Sequence, residues 1–297
     1  MSVLYAVEGF TSVAHHQAAY ATEETLLPHL PTPSATGQAS IYVLSTSTTT
    51  SMKILIIGAA GRVGSAALAA CLSKQHHVTA MLRNPAKLAP ELRNHPRLRV
   101  TQGDATSHAS LVDAIKDTEA IIQAAVYGSN SPFGTSDSEK VVRCIIGAVK
   151  EVQASRPIWA RPIRLWVMSG QVLMDIPGYA GKVEGDVFPI HPEHYKNYDF
   201  LQKDAKDVDW SLLCPGRIDQ GEPAGPLVIT TDRVGLWQEP RIWGRIPLIG
   251  PALNVVYNWR QQSLTYASVG DYLSNHLGSG GDMRGKRVGL LEDPSKQ

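Results

Sequence analysis

Cysteine is scarce and dispersed. Its three copies, Cys71, Cys144 and Cys214, form no C-x-x-C pair and sit in apolar or helical-looking runs. That excludes a disulfide framework and a thiolate zinc site, and predicts buried thiols in a reducing, cytoplasmic compartment. No charge of one sign dominates: 28 basic residues face 27 acidic ones, for a net +1, and the basic residues form no stripe. Neither nucleic acid nor a membrane surface is therefore expected as a partner. No run reaches the roughly 20 apolar residues that cross a bilayer. The first fifty residues also lack a basic segment followed by an apolar one, so they do not read as a secretory signal. They lack periodicity as well. "ATGQASIYVLSTSTTTS" is small and hydroxyl-rich, and residues 1–51 are expected to be a flexible or weakly ordered extension, a true start at Met52 being an equally simple account. His15 and His16 make no metal argument by themselves.

What is present is a large apolar fraction, 43 % of 297 residues, arranged regularly from Lys53 onward. "KILIIG", "HVTAMLR", "LRVTQGD", "EAIIQAAVYG", "IRLWVMSG" and "WSLLCPG" read as six strands. Between them lie helix-period segments, "VGSAALAACLSK", "HASLVDAIKD", "SDSEKVVRCIIGAVKEV" and "HYKNYDFLQKDAKDV". Apolar strands alternating with helices predict an α/β chain with a doubly wound parallel sheet covered on both faces. Residues 52–297 are read as one nucleotide-binding domain, with 216–262 as a small C-terminal substrate-side region.

Three glycines, Gly58, Gly61 and Gly64, separate the first strand from its helix. The first permits the tight turn, the second removes a side chain that would hold a pyrophosphate off the backbone, and the third lets helix and sheet pack closely. The helix would then begin under the phosphates, with its positive end toward them. Close packing of an alanine-rich helix would also call for small residues, so the triplet is decisive only with the ordered strands around it. The second strand ends in "TAMLRNP", with Arg83 where NAD sites usually carry a carboxylate. A guanidinium there suits a 2′-phosphate. Arg62, inside the glycine turn, could approach the same phosphate, and either arginine could instead be solvated. The cofactor expected is NADP(H). Asp104, in "QGDAT", is placed either to approach the adenine or to cap the next helix.

Together "IIGAAGRVG", "MLRNP", "TQGDATSHASLVDAI", "EAIIQAAVYG", "LWVMSG" and "DVDWSLLCPGRI" resemble the atypical short-chain dehydrogenase/reductases, in particular the NAD(P)H-binding branch of NmrA-like and biliverdin reductase B or flavin reductase type proteins. "SLTYASVGDYLSNHL" is similar to that family's closing helix. The resemblance implies a Rossmann fold and cofactor contacts at Gly58, Ala60, Gly61, Arg62, Val63, Gly64, Arg83 and Asp104. It also implies Ala125 and Val126 beside the nicotinamide-side ribose, and Ser169 at the end of the fifth strand.

The departure lies in the catalytic pair. Familiar members carry Tyr-x-x-x-Lys, whereas Tyr179 is followed by Lys182, one residue too early, in the loop-like "DIPGYAGKVEGD". Tyr198 lies on a helical segment but is followed by Gln202 and then Lys203. Ser169, Tyr179, Lys182, His194 and Tyr198 are the catalytic candidates, with Tyr195 and His191 as neighbours of the same kind; packing of the tyrosines and an exposed-loop or helix-start position of the histidines is the simpler account of each taken alone. The histidines are not set among cysteines or aspartates at metal-ligand spacing, and no metal is expected.

Beyond the sixth strand, Trp237, Trp243, Tyr257 and Trp259 suit the wall of a pocket for a flat or hydrophobic molecule, and equally an auxiliary core or a dimer surface. Two function classes follow. One is an NADPH-dependent oxidoreductase acting on a small, cyclic or aromatic acceptor (carbonyl, quinone or flavin-like), as monomer or homodimer. The other is a non-catalytic, NmrA-like dinucleotide-sensing regulatory or scaffold protein.

Overall fold

A parallel strand with both faces covered must be apolar on both, and the first strand shows how the chain meets that demand. In β1 (Lys53–Ile57), Ile54 and Ile56 point to one side of the sheet and Leu55 and Ile57 to the other, and all four are buried. The computed structural model describes residues 50–125, 136–187, 189–223, 225–238, 246, 249–259, 262–293 and 295. Residues 1–49, Val126 and Trp243 lie outside that set, and with them the expectations placed there.

The chain runs β1, α1 (Arg62–Ser73), β2 (His77–Leu82), α2 (Pro90–Arg93), β3 (Leu98–Gln102), α3 (His108–Ile115), β4 (Ala120–Gln123), α4 (Ser138–Ser155) and β5 (Arg164–Met168). It continues through α5 (Glu184–Val187), α6 (Pro192–Asp204), β6 (Asp209–Pro215), β7 (Arg217–Asp219), β8 (Leu227–Thr231), α7 (Gly250–Trp259), β9 (Ser263–Thr265), α8 (Tyr266–Asn275) and β10 (Arg287–Glu292). The six expected strands are all present, in the sheet order β3-β2-β1-β4-β5-β6-β10-β8. Every described pair in it is parallel except β10 with β8. This is a doubly wound Rossmann sheet whose order reverses between β1 and β4.

Two further strands close the far edge. β8 comes from the region read as substrate-side, so part of 216–262 serves the sheet; β7 and β9 pair separately. One face of the sheet packs against α3, α4 and α6 through Leu111, Ile115, Ile145, Val149, Phe200 and Leu201. The other packs against α1 and α8 through Ala67, Leu68, Val269, Tyr272 and Leu273. The alanine-rich composition of α1 has its reason here. A Cβ on Gly270 of α8 would stand 2.5 Å from the Ala66 carbonyl oxygen, so the two helices touch backbone to backbone, which only small residues permit.

Candidate functional site

The site is built where β1 ends. Gly58 has φ +88°, and a Cβ there would stand 2.6 Å from the Ala125 nitrogen at the end of β4. A Cβ on Gly64 would stand 2.1 Å from the Gly58 carbonyl oxygen. Both glycines are therefore required by the fold itself. Gly61 differs. A Cβ would meet only the Gly58 oxygen, at 3.3 Å, and the space beyond is open. As N-cap of α1, Gly61 brings no side chain to the first turn, which also holds no acidic residue. The uncapped N–H groups and the positive helix end face that opening, as a pyrophosphate requires.

The opening belongs to a groove of about 270 Å³ lined by Gly58, Ala60, Gly61, Arg83, Asp104 and Ala125 among the expected residues. Ser138 and Lys87 also line it. Lys87 went unread in the sequence because it falls after the Asn84-Pro85 strand stop, in a 3-10 turn whose N-cap Asn84 accepts from the Ala86 N–H. That turn carries Lys87 back to the end of β2. Asp104 lines the groove and does not cap the next helix. Its Oδ1 accepts from the Thr106 N–H at 2.8 Å and the Thr106 hydroxyl at 3.0 Å, which caps a turn instead of the helix and holds the carboxyl below its ordinary range. Arg62 is not among the lining residues. Its Nη1 reaches the Tyr266 hydroxyl at 3.4 Å, at the start of α8. Val63 packs into the α1–α8 core instead, and Gly64 is buried beneath the turn. A larger, open depression of about 540 Å³ passes Lys53, His77 and Arg97. It runs between α3 and the sheet, from Lys53 and His77 to Met81 and Gln102, and the glycine turn does not line it.

The catalytic candidates gather less tightly. Ser169 follows β5, hydrogen-bonded through its N–H to the Leu213 carbonyl, with its hydroxyl beside the Cys214 thiol. Tyr179 and Lys182 occupy a closed turn, in which Ile176 N–H donates to the Lys182 carbonyl at 2.9 Å and the Lys182 N–H to the Tyr179 carbonyl at 3.1 Å. The Tyr179 hydroxyl meets Asn254 of α7, and burial raises its pKa; Lys182 is exposed. Tyr198 lies in α6 with its hydroxyl accepting from Gln202 Nε2 at 2.7 Å and Arg287 over its ring, and Tyr195 donates to the Val172 carbonyl. His194 is 4 % exposed, and burial pushes its imidazole down to about 4. It is neutral at pH 7, which makes it a poor proton donor there.

One buried group had no signal in the sequence. Glu184, 1 % exposed, accepts from Gln171 Nε2 at 2.8 Å and from Trp259 Nε1 at 3.2 Å, and Gln171 also donates to Gln262 Oε1. Helix α7 and the segment after β5 thus meet on one carboxyl group. Of the expected aromatic wall, Trp259 is spent on this contact, Trp237 packs on the core, and Tyr257 donates to Gln238. Burial raises Glu184 from its ordinary 4.5 to about 7. The protonated form is favoured by folding, so its contribution is complete below pH 4.5 and is lost as pH rises through 7. The unfolding free energy of wild type, relative to Glu184→Gln, should fall by about 3 kcal/mol from about pH 4 to about pH 8. Urea titrations of both proteins across that range would measure it. A pH-independent difference would mean that burial does not perturb this carboxyl.

Comparison with known proteins agrees with this geometry. The NAD(P)H-binding family matches residues 58–239. A search of curated proteins found no match. Among solved structures, a short-chain dehydrogenase/reductase from Veillonella parvula in complex with NADP superposes with a TM-score of 0.56 at 15 % identity, covering 81 % of this chain and 94 % of that one. A Streptococcus pneumoniae protein proposed to be an NADH-flavin reductase gives 0.55 at 18 %, covering 82 % and 100 %. A Rossmann-fold NAD(P)-binding family protein from Shigella flexneri gives 0.53 at 14 %, covering 83 % and 95 %. These likenesses establish the shared fold. No helix among the described residues is long and apolar enough to cross a membrane. With the glycine turn, the groove beside it and the family match spanning most of the sheet, the chain belongs to the NAD(P)H-binding family.

Proposed function

We propose that the protein is an NADPH-dependent oxidoreductase that delivers hydride to a small, cyclic or aromatic acceptor: a carbonyl, quinone or flavin-like ring. The observation that carries the cofactor choice is the pairing of Arg83 with Lys87 on the groove at the end of β2, where buried Met81 and Leu82 stand instead of a carboxylate. Two cations there favour a 2′-phosphate, and they outnumber the one carboxylate beside them, Asp104, which is close enough to feel the Arg83 charge. When bound, the dinucleotide supplies the hydride. The chain's own residues would hold and orient it: Gly58, Ala60 and Gly61 through backbone at the turn, Asp104 and Ala125 along the groove, and Ser169 past β5. Residues 52–297 would form this domain, with 216–262 contributing to the acceptor side.

The acceptor class follows from the weakness of the proton donors. Tyr179 and Lys182 share a turn instead of a helix face, Tyr198 is engaged by Gln202, and His194 is neutral. A flavin-like or quinone-like ring accepts hydride without a strong protein acid, and the reductase proposed for the Streptococcus pneumoniae relative agrees with such a ring. Steady-state oxidation of NADPH and NADH against a panel of carbonyls, quinones and flavins is the test. Turnover of at least one class with NADPH preferred is the expected result. Tight NADPH binding without turnover of any class would replace the enzyme by the dinucleotide sensor.

A further inference from the structure

At the start of α6 the chain reads "HPEH", and the fold converts these four residues into a cluster. One ligand atom from each of His191, Glu193 and His194 lies within 4.8 Å of the other two. Glu193 and His194 are 5 % and 4 % exposed, and His191 is partly buried. The Nδ1 atoms of both imidazoles are buried and have no hydrogen-bond partner among the described residues. His191 Nδ1 stands 3.7 Å from a Glu193 carboxylate oxygen, too far for a hydrogen bond and close enough to share an ion. Leaving a buried polar nitrogen unpaired is costly, and two side by side are unusual in a folded core.

We propose that His191, Glu193 and His194 form a three-ligand site for a divalent cation of the zinc class. Two imidazole nitrogens and one carboxylate are the borderline donor set that zinc takes in sites with an open fourth position. Ligands at about 2.0–2.2 Å around a tetrahedral ion stand about 3.4 Å from one another, so the three groups need close by about 1 Å or a little more. The positive end of α6 opposes a cation, and Glu193 in the first turn offsets it. His191 holds a left-handed conformation, φ 55° and ψ 55°, which turns its ring back over the first turn toward His194, at a centroid separation of 5.6 Å.

The place is informative. A Cβ on Gly170, which follows Ser169 at the end of β5, would meet the His194 ring at 3.3 Å. The site therefore adjoins the carboxyl end of the sheet, on the side where an acceptor would enter. A cation with an open valence there binds a water or a substrate oxygen. The assignment of the ion does not depend on the hydride-transfer reading, because binding can be measured without dinucleotide or acceptor.

The full-length protein, stripped with EDTA, is titrated calorimetrically with Zn²⁺ alone and followed by melting temperature and by the visible spectrum after Co²⁺ addition. Wild type should bind one Zn²⁺ at this site, gain thermal stability and show the intense d–d bands of a low-coordinate Co²⁺ centre. Glu193→Gln preserves shape, and His191→Gly suits the left-handed backbone. Each should weaken this binding at least about 100-fold, the upper end of what loss of even an outer-shell partner costs, and abolish the Co²⁺ bands. Absence of stoichiometric binding in wild type overturns the proposal. So does binding that survives undiminished in either variant, which would put the ion elsewhere, for example at His15 and His16. Each variant suffices alone should the other fail to fold.

Discussion

A Gly61→Val variant should lose NADPH binding by at least about 100-fold while keeping its fold. The N-cap backbone, φ −78° and ψ 166°, suits a β-branched residue, and the new Cβ meets only the Gly58 carbonyl oxygen at 3.3 Å. Stability should fall only by the order of 1 kcal/mol that exchanging a favourable N-cap for valine costs. The added carbons instead fill the opening over the first turn of α1. They would part the pyrophosphate from backbone donors whose charge-assisted bonds are worth roughly 1.5–3 kcal/mol each, and loss of two gives about two decades or more. Gly64→Ala is the control with the opposite outcome. Its Cβ would stand 2.1 Å from the Gly58 oxygen and 2.9 Å from the Ala59 Cα, all backbone, so helix and turn must separate. A loss of about 1–3 kcal/mol of stability or more is expected before any ligand is added. Calorimetric titration and thermal melts of both variants make the comparison. Undiminished NADPH affinity in folded Gly61→Val would mean that the glycine turn is not the phosphate site.

Arg83→Ala should weaken NADPH tenfold to a hundredfold and leave NADH almost unmoved, since NADH has no 2′-phosphate to lose. Arg83 and Lys87 are both exposed at the groove, so raised salt should mimic part of the effect. Lys87→Ala should act in the same direction, and the double variant should fall short of the sum if both cations grip one phosphate. Arg62→Ala should leave the preference intact, because its guanidinium reaches Tyr266 and not the groove. Dissociation constants for both cofactors in wild type and the variants decide among these. A wild type that prefers NADH would overturn the reading of the β2 end, and an Arg62→Ala protein that loses its preference would return the phosphate to the other arginine.

Strands β1 to β6 and helices α1, α3, α4 and α6 were legible because their periodicity is set by covering both faces of a parallel sheet. Ile54, Leu55, Ile56 and Ile57 have to be apolar wherever the rest of the chain goes, and the helices between strands must present one apolar stripe. The glycine turn was legible for a similar reason. Gly64 is dictated by contact with the turn itself and Gly58 by contact with the end of β4, and their spacing reveals them once the ordered strands around them are read. The two last sheet strands were harder. β8 and β10 are far apart in sequence and fall outside the regular strand–helix alternation, and β8 is half-buried at an edge.

By itself, then, the sequence determined the strand–helix alternation, the glycine turn, and the lack of a carboxylate where β2 ends, since each shows as a local pattern of residue types. Only the tertiary structure decided which polar groups share a place. Lys87 returns to the groove through a 3-10 turn; Glu184 is buried by Trp259, 75 residues later; Arg62 is drawn away by Tyr266, 204 residues later. His191, Glu193 and His194 are close in sequence, yet the His194 ring is covered by Gly170, after β5. The physical reason is common to all of them. Backbone conformation is set locally, whereas desolvation and pairing of a side chain depend on whatever distant surface folding brings against it, and a lone Glu, His or Lys carries no periodic trace of that surface.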